Sequence, residues 1–357
     1  MGGTDNHKNK SLKKDLLSAS GRKKLFALAI VFLAAVVACL CFIAPVFSLK
    51  ADDEAFIRVP KNATRQTIKD SVEKYLGKDF AEKFARASML HGPDFSKRHG
   101  AYKIEKGDSP AAAFKKISRG AQTPVVITIN GFRTMPELAR RLALKLDVSA
   151  DSLLSTLSAD TLLSSYGLKP SQALALFVND SYEFYWNVSP ENFIKKIGKN
   201  YSSIWNESRI NKAAALGLAP VEVMTIASIV DEETLKPEDK GPIGRLYINR
   251  LNKGMKLQAD PTVKYAVGDF SLRRITSEHL KKESPFNTYL HKGLPPAPIK
   301  TTSVATIDSI LNSKPHEYLY MCAKDDFSGY HAFAKTYEEH LKNAHAYQRA
   351  LNRRNIH

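Results

Sequence analysis

The chain has 357 residues, room for two or three domains. Its 43% hydrophobic content, with 17 Pro and 18 Gly, reads as globular and excludes a low-complexity or disordered chain. A net charge of +17 points to an anionic partner: nucleic acid, a membrane surface or an acidic polymer.

Residues 25–49 read LFALAIVFLAAVVACLCFIAPVFSL and carry no charge. A bilayer core needs about 20 apolar residues, so this run is long enough to span one. The 24 residues before it hold seven cations (Lys8, Lys10, Lys13, Lys14, Arg22, Lys23, Lys24) against Asp5 and Asp15; Asp52, Asp53 and Glu54 follow. The positive-inside rule then places the N-terminus in the cytoplasm and residues 51 onward outside. A cleaved signal peptide is the competing reading, but the run is longer than a signal core and no small-x-small site clearly follows. No second run of spanning length occurs. The expectation is a single-pass anchor with one large outward region, for which wall polymer or lipid headgroups suit the basic charge better than DNA. Cys39 and Cys41 fall in the span and Cys322 is alone beyond it, so no intramolecular disulfide staples that region.

Residues 51–55 read as a short acidic linker. A small α+β unit follows over 56–120: a strand at 56–59, helices at 62–76 and 80–90 with Asp79 as N-cap, a strand at 100–104, and a helix opened by Asp108-Ser109-Pro110 and stopped at Gly120. Strand, helix, helix, strand is the outline of a small carbohydrate-binding module. Residues 122–129 alternate and are β-branched, predicting a strand. A helix is predicted over 134–144, with short helices near 152–158 and 171–176. Tyr182, Phe184, Tyr185 and Trp186 read either as core or as a platform on which sugar rings stack. Helices are then expected at 219–234 and 242–251. Asp260 before Pro261 reads as a cap followed by a first-turn proline, whereas Gln258 has no such role. The segment SPFNTYLHKGLPPAPIK (284–300) reads as a stiff irregular loop whose Asn287 and Tyr289 suit a polar ligand wall. A helix at 306–311, strands at 318–322 and 329–333 and a basic terminal helix at 337–352 complete an α+β class.

The stretch Met224-Thr225-Ile226-Ala227-Ser228-Ile229-Val230-Asp231-Glu232-Glu233-Thr234 is an apolar run ending in three acids. At helical spacing Glu233 follows Val230, Ile229 and Ile226 on one apolar face, while Asp231 projects roughly 200° away. A carboxyl set against apolar neighbours has a raised pKa and can serve as a general acid. The competing reading is a solvated acidic helix end. No P-loop, GxGxxG, HExxH, CxxC or GxSxG pattern occurs, and His340 and His345 are spaced poorly for sharing a metal, so no cofactor or metal is expected.

Three blocks, IASIVDEET, INRLNKGMKLQADPTVKYAVG and SPFNTYLHKGLPPAPI, strongly resemble the endolytic murein transglycosylases of the MltG (YceG-like) type in order and spacing. The likeness continues upstream. Tyr102 to Gly120 is similar to the family's LysM-like module, Thr128-Ile129-Asn130-Gly131-Phe132 stands where the family usually has an acid before the glycine, and Val178-Asn179-Asp180-Ser181-Tyr182 looks like a variant of its Pro-Asp-Thr-Tyr stretch. Together these cover roughly 55–350. The plan implied is a cytoplasmic basic tail (1–24), a transmembrane helix (25–49), a LysM-like module (50–121) and a transglycosylase catalytic domain (122–357).

The resemblance implies an enzyme of the bacterial inner membrane whose outer domain cleaves nascent peptidoglycan strands between MurNAc and GlcNAc, leaves 1,6-anhydro ends and helps to terminate elongation, with peptidoglycan synthases as partners. It puts the catalytic acid on Glu233 and has Asp231 where the family shows a glutamate. It also implies that Gln258, Asp260, Thr262, Tyr265, Asn287 and Tyr289 bind substrate, with His331 a weaker candidate. Two rivals stand beside this: a non-catalytic wall-binding scaffold, and a conventional two-carboxylate hydrolase with Asp231 or Glu232 as the second acid.

Overall fold

The computed structural model describes residues 19–354 apart from His91 and Pro93. Most of the basic tail therefore lies outside the described residues. The chain divides into two compact units, one ending at Pro124 and one starting at Val125.

The first unit opens with α1 (Ala19–Phe42) and the short α2 (Ala44–Ser48). Within Gly21–Ser48 the most apolar 18-residue window has a mean hydropathy of 3.1 and is unburied, so length and composition suffice to cross a bilayer. The next residues are not a free linker as expected. Ala51 is buried, its N–H donates to Asp108 O at 2.9 Å, and its carbonyl accepts Gly107 N–H at 2.9 Å. The chain is thereby strapped to the turn before α5. Then come β1 (Ala55–Val59), α3 (Arg65–Leu76), α4 (Lys78–Leu90), β2 (Gly100–Ile104) and α5 (Pro110–Arg119). β1 and β2 pair antiparallel, Ala55 opposite Ile104 and Val59 opposite Gly100. The alternate residues Ile57, Val59, Tyr102 and Ile104 bury against Ile68, Val72, Phe80, Phe84 and Ile117 from the three helices. Thr64 rather than Asn62 opens α3, its hydroxyl accepting Thr67 N–H. Asp79 lies inside the first turn of α4 and does not cap it, because the helix starts directly after Gly77. Gly120 ends α5 in the left-handed conformation at φ 70°, where a side chain would be strained.

The second unit begins with β3 (Val125–Ile129), α6 (Met135–Ala143), α7 (Ala150–Ser158) and α8 (Asp160–Ser164), and a 3-10 segment, Pro170–Leu176, leads to β4 (Asp180–Phe184). β4 pairs antiparallel with β3, Val125 opposite Phe184. Tyr182, Phe184 and Trp186 are core, with the Phe184 ring 4.5 Å from Phe193; only Tyr185 of the four is exposed. Three of the four aromatics thus serve the core, Tyr182 and Phe184 from β4 and Trp186 just beyond it. Helices α9 (Pro190–Ile204) and α10 (Glu207–Ala215) follow, and then α11 (Pro220–Glu233), α12 (Pro237–Asn252) and α13 (Asp260–Val267). α12 starts five residues before its expected beginning and carries Pro242 inside. Its glycines explain the sequence there: a Cβ on Gly241 would meet Ser309 O at 2.9 Å, and one on Gly244 would meet Ile310 Cγ1 at 2.6 Å. Both permit close approach of α14 (Val304–Leu311). β5 (Tyr320–Ala323) and β6 (His331–Ala334) form a hairpin beside α15 (Tyr337–Arg353).

Candidate active site

α11 is the centre of the second unit. All eight residues from Val223 to Val230 are buried, so the helix is interior between its first and last turns. Burying each of its Val and Ile side chains is worth about 1.5–3 kcal/mol, which fixes the helix and the direction of whatever follows. Ser228, buried without exposure, clips the proline-rich loop to it: its Oγ accepts Ile299 N–H at 3.0 Å and donates to Thr225 O at 2.7 Å.

The three acids at the helix end diverge, and each meets different chemistry. Asp231 is saturated. Its Oδ1 accepts Lys240 Nζ at 2.7 Å and Thr306 Oγ1 at 2.6 Å, and its Oδ2 accepts Thr302 Oγ1 at 2.6 Å. Glu232 accepts Arg133 Nη2 on both oxygens at 3.0 Å and Lys300 Nζ at 2.6 Å. Burial works to raise the Glu232 carboxyl, but Lys300 and Arg133 outweigh it and hold it below the ordinary glutamate range. Glu233 has no ion pair among the described residues. Its Oε1 accepts the hydroxyl of Tyr247 from α12 at 2.7 Å, and the residue as a whole is half-buried. Burial pushes its pKa up to about 7; Tyr247 and Lys264 oppose the rise, and the charges of Asp260 and Glu232 add to it. This carboxyl keeps its proton up to about neutral pH, while the other two acids are held by cations and hydroxyls.

Around Glu233 stand residues of three further segments. Asp260 opens α13, but its carboxylate caps nothing; Oδ1 accepts the Tyr289 hydroxyl at 2.7 Å. Burial and this carboxylate push the Tyr289 phenol upward. Tyr265 is half-buried, 4.6 Å from the Phe286 ring and 6.1 Å from Phe270. Gln258 is exposed and held at φ 50°, an uncommon conformation for a glutamine and a mark of a constrained site. The buried Arg250 holds that turn, donating Nη1 to Leu257 O at 2.9 Å and Gln258 Oε1 at 3.3 Å, and Nε to Leu319 O at 2.6 Å.

Two expected ligand residues are internal instead. Thr262 is fully buried, its hydroxyl shared with Ala259 O at 2.7 Å and Thr288 Oγ1 at 2.8 Å. Asn287 is equally buried, donating Nδ2 to Leu280 O and Lys282 O and accepting Tyr289 N–H. Both side chains are spent on internal hydrogen bonds and shape the backbone that presents Asp260 and Tyr289. His331 is likewise taken, its Nδ1 3.0 Å from Asp239 Oδ2. Tyr247, Arg133, Lys300 and Ser228 were not foreseen. The unusual Asn130-Gly131 and Asn179 segments meet as well: Asn179 Oδ1 accepts Gly131 N–H at 3.2 Å and Thr301 Oγ1 at 2.6 Å. Two concavities of this unit, of about 570 Å³ at Val221–Thr225 and about 300 Å³ beside α6, are not lined by Glu233.

Fold and site together define an α+β protein that sets one half-buried glutamate of raised pKa at the end of an interior helix. The sequence model of the YceG-like family matches residues 57–346, and the chain belongs to that family. It is 34% identical over 159 residues to a Bacillus subtilis protein named endolytic murein transglycosylase, covering 44% of this chain and 42% of that one. A protein of the same name from Streptococcus pneumoniae R6 is 27% identical over 274 residues, 68% of this chain and 49% of its own. The chain thus spans about half the length of these curated relatives. A crystal structure of a YceG-like protein from Listeria monocytogenes shares the fold at a TM-score of 0.55 and 23% identity, covering 81% of this chain and 98% of the other.

Proposed function

We propose that this chain is a membrane-anchored lytic transglycosylase acting within peptidoglycan glycan strands. The observation that carries the proposal is Glu233: a carboxyl raised to about 7 on a half-buried residue, bonded by Tyr247 and within electrostatic reach of Asp260 and Tyr289. Protonated Glu233 donates to the bridging oxygen as the C1–O bond of MurNAc breaks. The substrate's N-acetyl group supports the oxocarbenium-like centre. The C6 hydroxyl then closes on C1, giving its proton back to Glu233 and leaving a 1,6-anhydro end. One acid serves both steps because the nucleophile belongs to the substrate. Gln258, Asp260, Tyr265 and Tyr289 bind sugar hydroxyls and amides beside it. Residues 25–49 anchor the chain with its N-terminus in the cytoplasm, supported by the apolar span. The β-α-α-β outline of the first unit supports reading it as a LysM-like wall-binding module.

A second reading has one observation in its favour. Asp260 is an exposed carboxylate whose charge is felt at Glu233, so a two-carboxylate hydrolase would use it rather than Asp231 or Glu232, which are bound by cations. Digestion of purified sacculi with the full chain, read by mass spectrometry, separates the cases. Anhydro-ended fragments that vanish in Glu233→Gln support the transglycosylase. Reducing-end products identify the hydrolase, and binding without products identifies a scaffold.

A further inference from the structure

We propose that Tyr247 is a positioning residue that fixes Oε1 of Glu233 as the unprotonated oxygen, so that the proton the reaction uses sits on Oε2. The inference rests on the glycan-cleavage reading above and adds which oxygen does the work and what holds it.

The geometry is specific. Tyr247 is 2% exposed, lies on α12 packed against α11, and puts its hydroxyl 2.7 Å from Oε1. A phenol is both donor and acceptor, so two arrangements are conceivable. If Oε1 carried the proton and donated to the phenol, the phenol's own hydrogen would need another acceptor in a buried site. With the phenol donating, its hydrogen is satisfied on Oε1, and the acid proton on Oε2 is left for the substrate. The acid proton is then confined to Oε2.

This arrangement serves both halves of the reaction. As Oε2–H passes its proton to the bridging oxygen, the new carboxylate keeps its Tyr247 hydrogen bond, which strengthens with the charge. As the C6 hydroxyl attacks C1, its proton returns to Oε2 and the starting state is restored. The groups that face Glu233 are Glu232 on its own helix, Tyr247 on α12, with Arg250 behind the phenol, Asp260 and Lys264 on α13, and Tyr289 from the proline-rich loop. Of these, Tyr247 is the one with a hydrogen bond to Glu233, and it opposes the upward push of burial. Burial keeps the acid protonated, and the phenol keeps it from being too weak an acid to give the proton up. The phenol itself is pushed far above its ordinary range, by burial first and the Glu233 charge second, so it stays a donor throughout.

The test uses the full chain in detergent micelles. The Glu233 carboxyl is titrated by infrared difference spectroscopy, with Glu233→Gln to assign the band. Tyr247→Phe should move the midpoint up by about one pH unit, since a hydrogen bond to a charged group is worth that much. The alkaline limb of sacculus cleavage should move with it. kcat should fall about tenfold with KM unchanged, because the residue is buried and touches no sugar. Fluorotyrosine placed at position 247 is a more acidic, stronger donor of the same shape, and should move the midpoint down. It also carries the test if the Phe variant does not fold. A midpoint within a few tenths of wild type in both variants, or a shift of both in one direction, overturns the proposal. If the midpoints shift as expected and the wild type cleaves nothing, the hold of Tyr247 on Glu233 stands and the glycan-cleavage reading fails.

Discussion

Replacing Asp231 by Asn removes one charge from the most tightly coordinated acid of the site. Asp231 is 9% exposed and Lys240 19%, and the carboxylate gathers three donors at 2.6–2.7 Å. The amide keeps the shape but presents an N–H₂ to donors and leaves the Lys240 ammonium without a counter-charge. Removing one partner of a buried pair costs about 3–5 kcal/mol, and the residual exposure here puts the loss near the lower end. For a unit of this size each kcal/mol lowers Tm by about 2–4 °C, so the variant should melt about 6–12 °C below wild type. Circular dichroism of the full chain measures the shift, and a Lys240→Met change in the same molecule should recover part of it, since the uncompensated charge goes. Sacculus cleavage well below the melt should persist. An unchanged Tm together with lost cleavage would refute this reasoning and make Asp231 a reacting group.

Glu233→Gln should stabilise the chain at pH 8 while removing activity. The folded carboxyl holds its proton to about 7 and the unfolded one to 4.5, so between those values the folded state binds more protons and stability falls as pH rises. The Gln variant escapes this cost of about 3 kcal/mol and should show a flatter stability profile from pH 4.5 to 7. Glu232 has the opposite sign: its pKa is depressed, so its contribution is complete above 4.5 and is lost as pH falls below that. Glu232→Gln should therefore lower Tm at pH 7, and the gap from wild type should narrow as pH falls below 4.5; an equal gap at pH 7 and pH 3 would contradict the ion-pair account. Ser228→Ala leaves Ile299 N–H unpaired in the core and should cost about 2 kcal/mol as a lower urea midpoint with the same slope. A raised KM should accompany it, because the released loop carries Tyr289.

Much of this arrangement was legible in residue order because its signals are local. The apolar stripe of Ile226, Ile229 and Val230 predicted where Glu233 would point, and period-2 alternation marked β3. What escaped depends on partners distant in the chain. Asp231 could be read as a candidate acid only because Thr302, Thr306 and Lys240 are invisible from its own helix. Thr262 and Asn287 lie two residues from Asp260 and Tyr289, and spacing cannot show that their side chains are spent on internal hydrogen bonds. Asp260 before Pro261 carried a capping pattern, yet its carboxylate is drawn to the Tyr289 phenol. Pro242 argued for a helix start, and only the contact of Gly241 and Gly244 with α14 shows why the helix begins sooner.

The central claim concerns one carboxyl, and its own titration in the unmodified full chain tests it most directly. Infrared difference spectra against Glu233→Gln should give a protonated carboxyl with a midpoint near 7. A midpoint near the ordinary 4.5 would mean an ionised group at neutral pH, unable to donate the first proton, and would contradict the account.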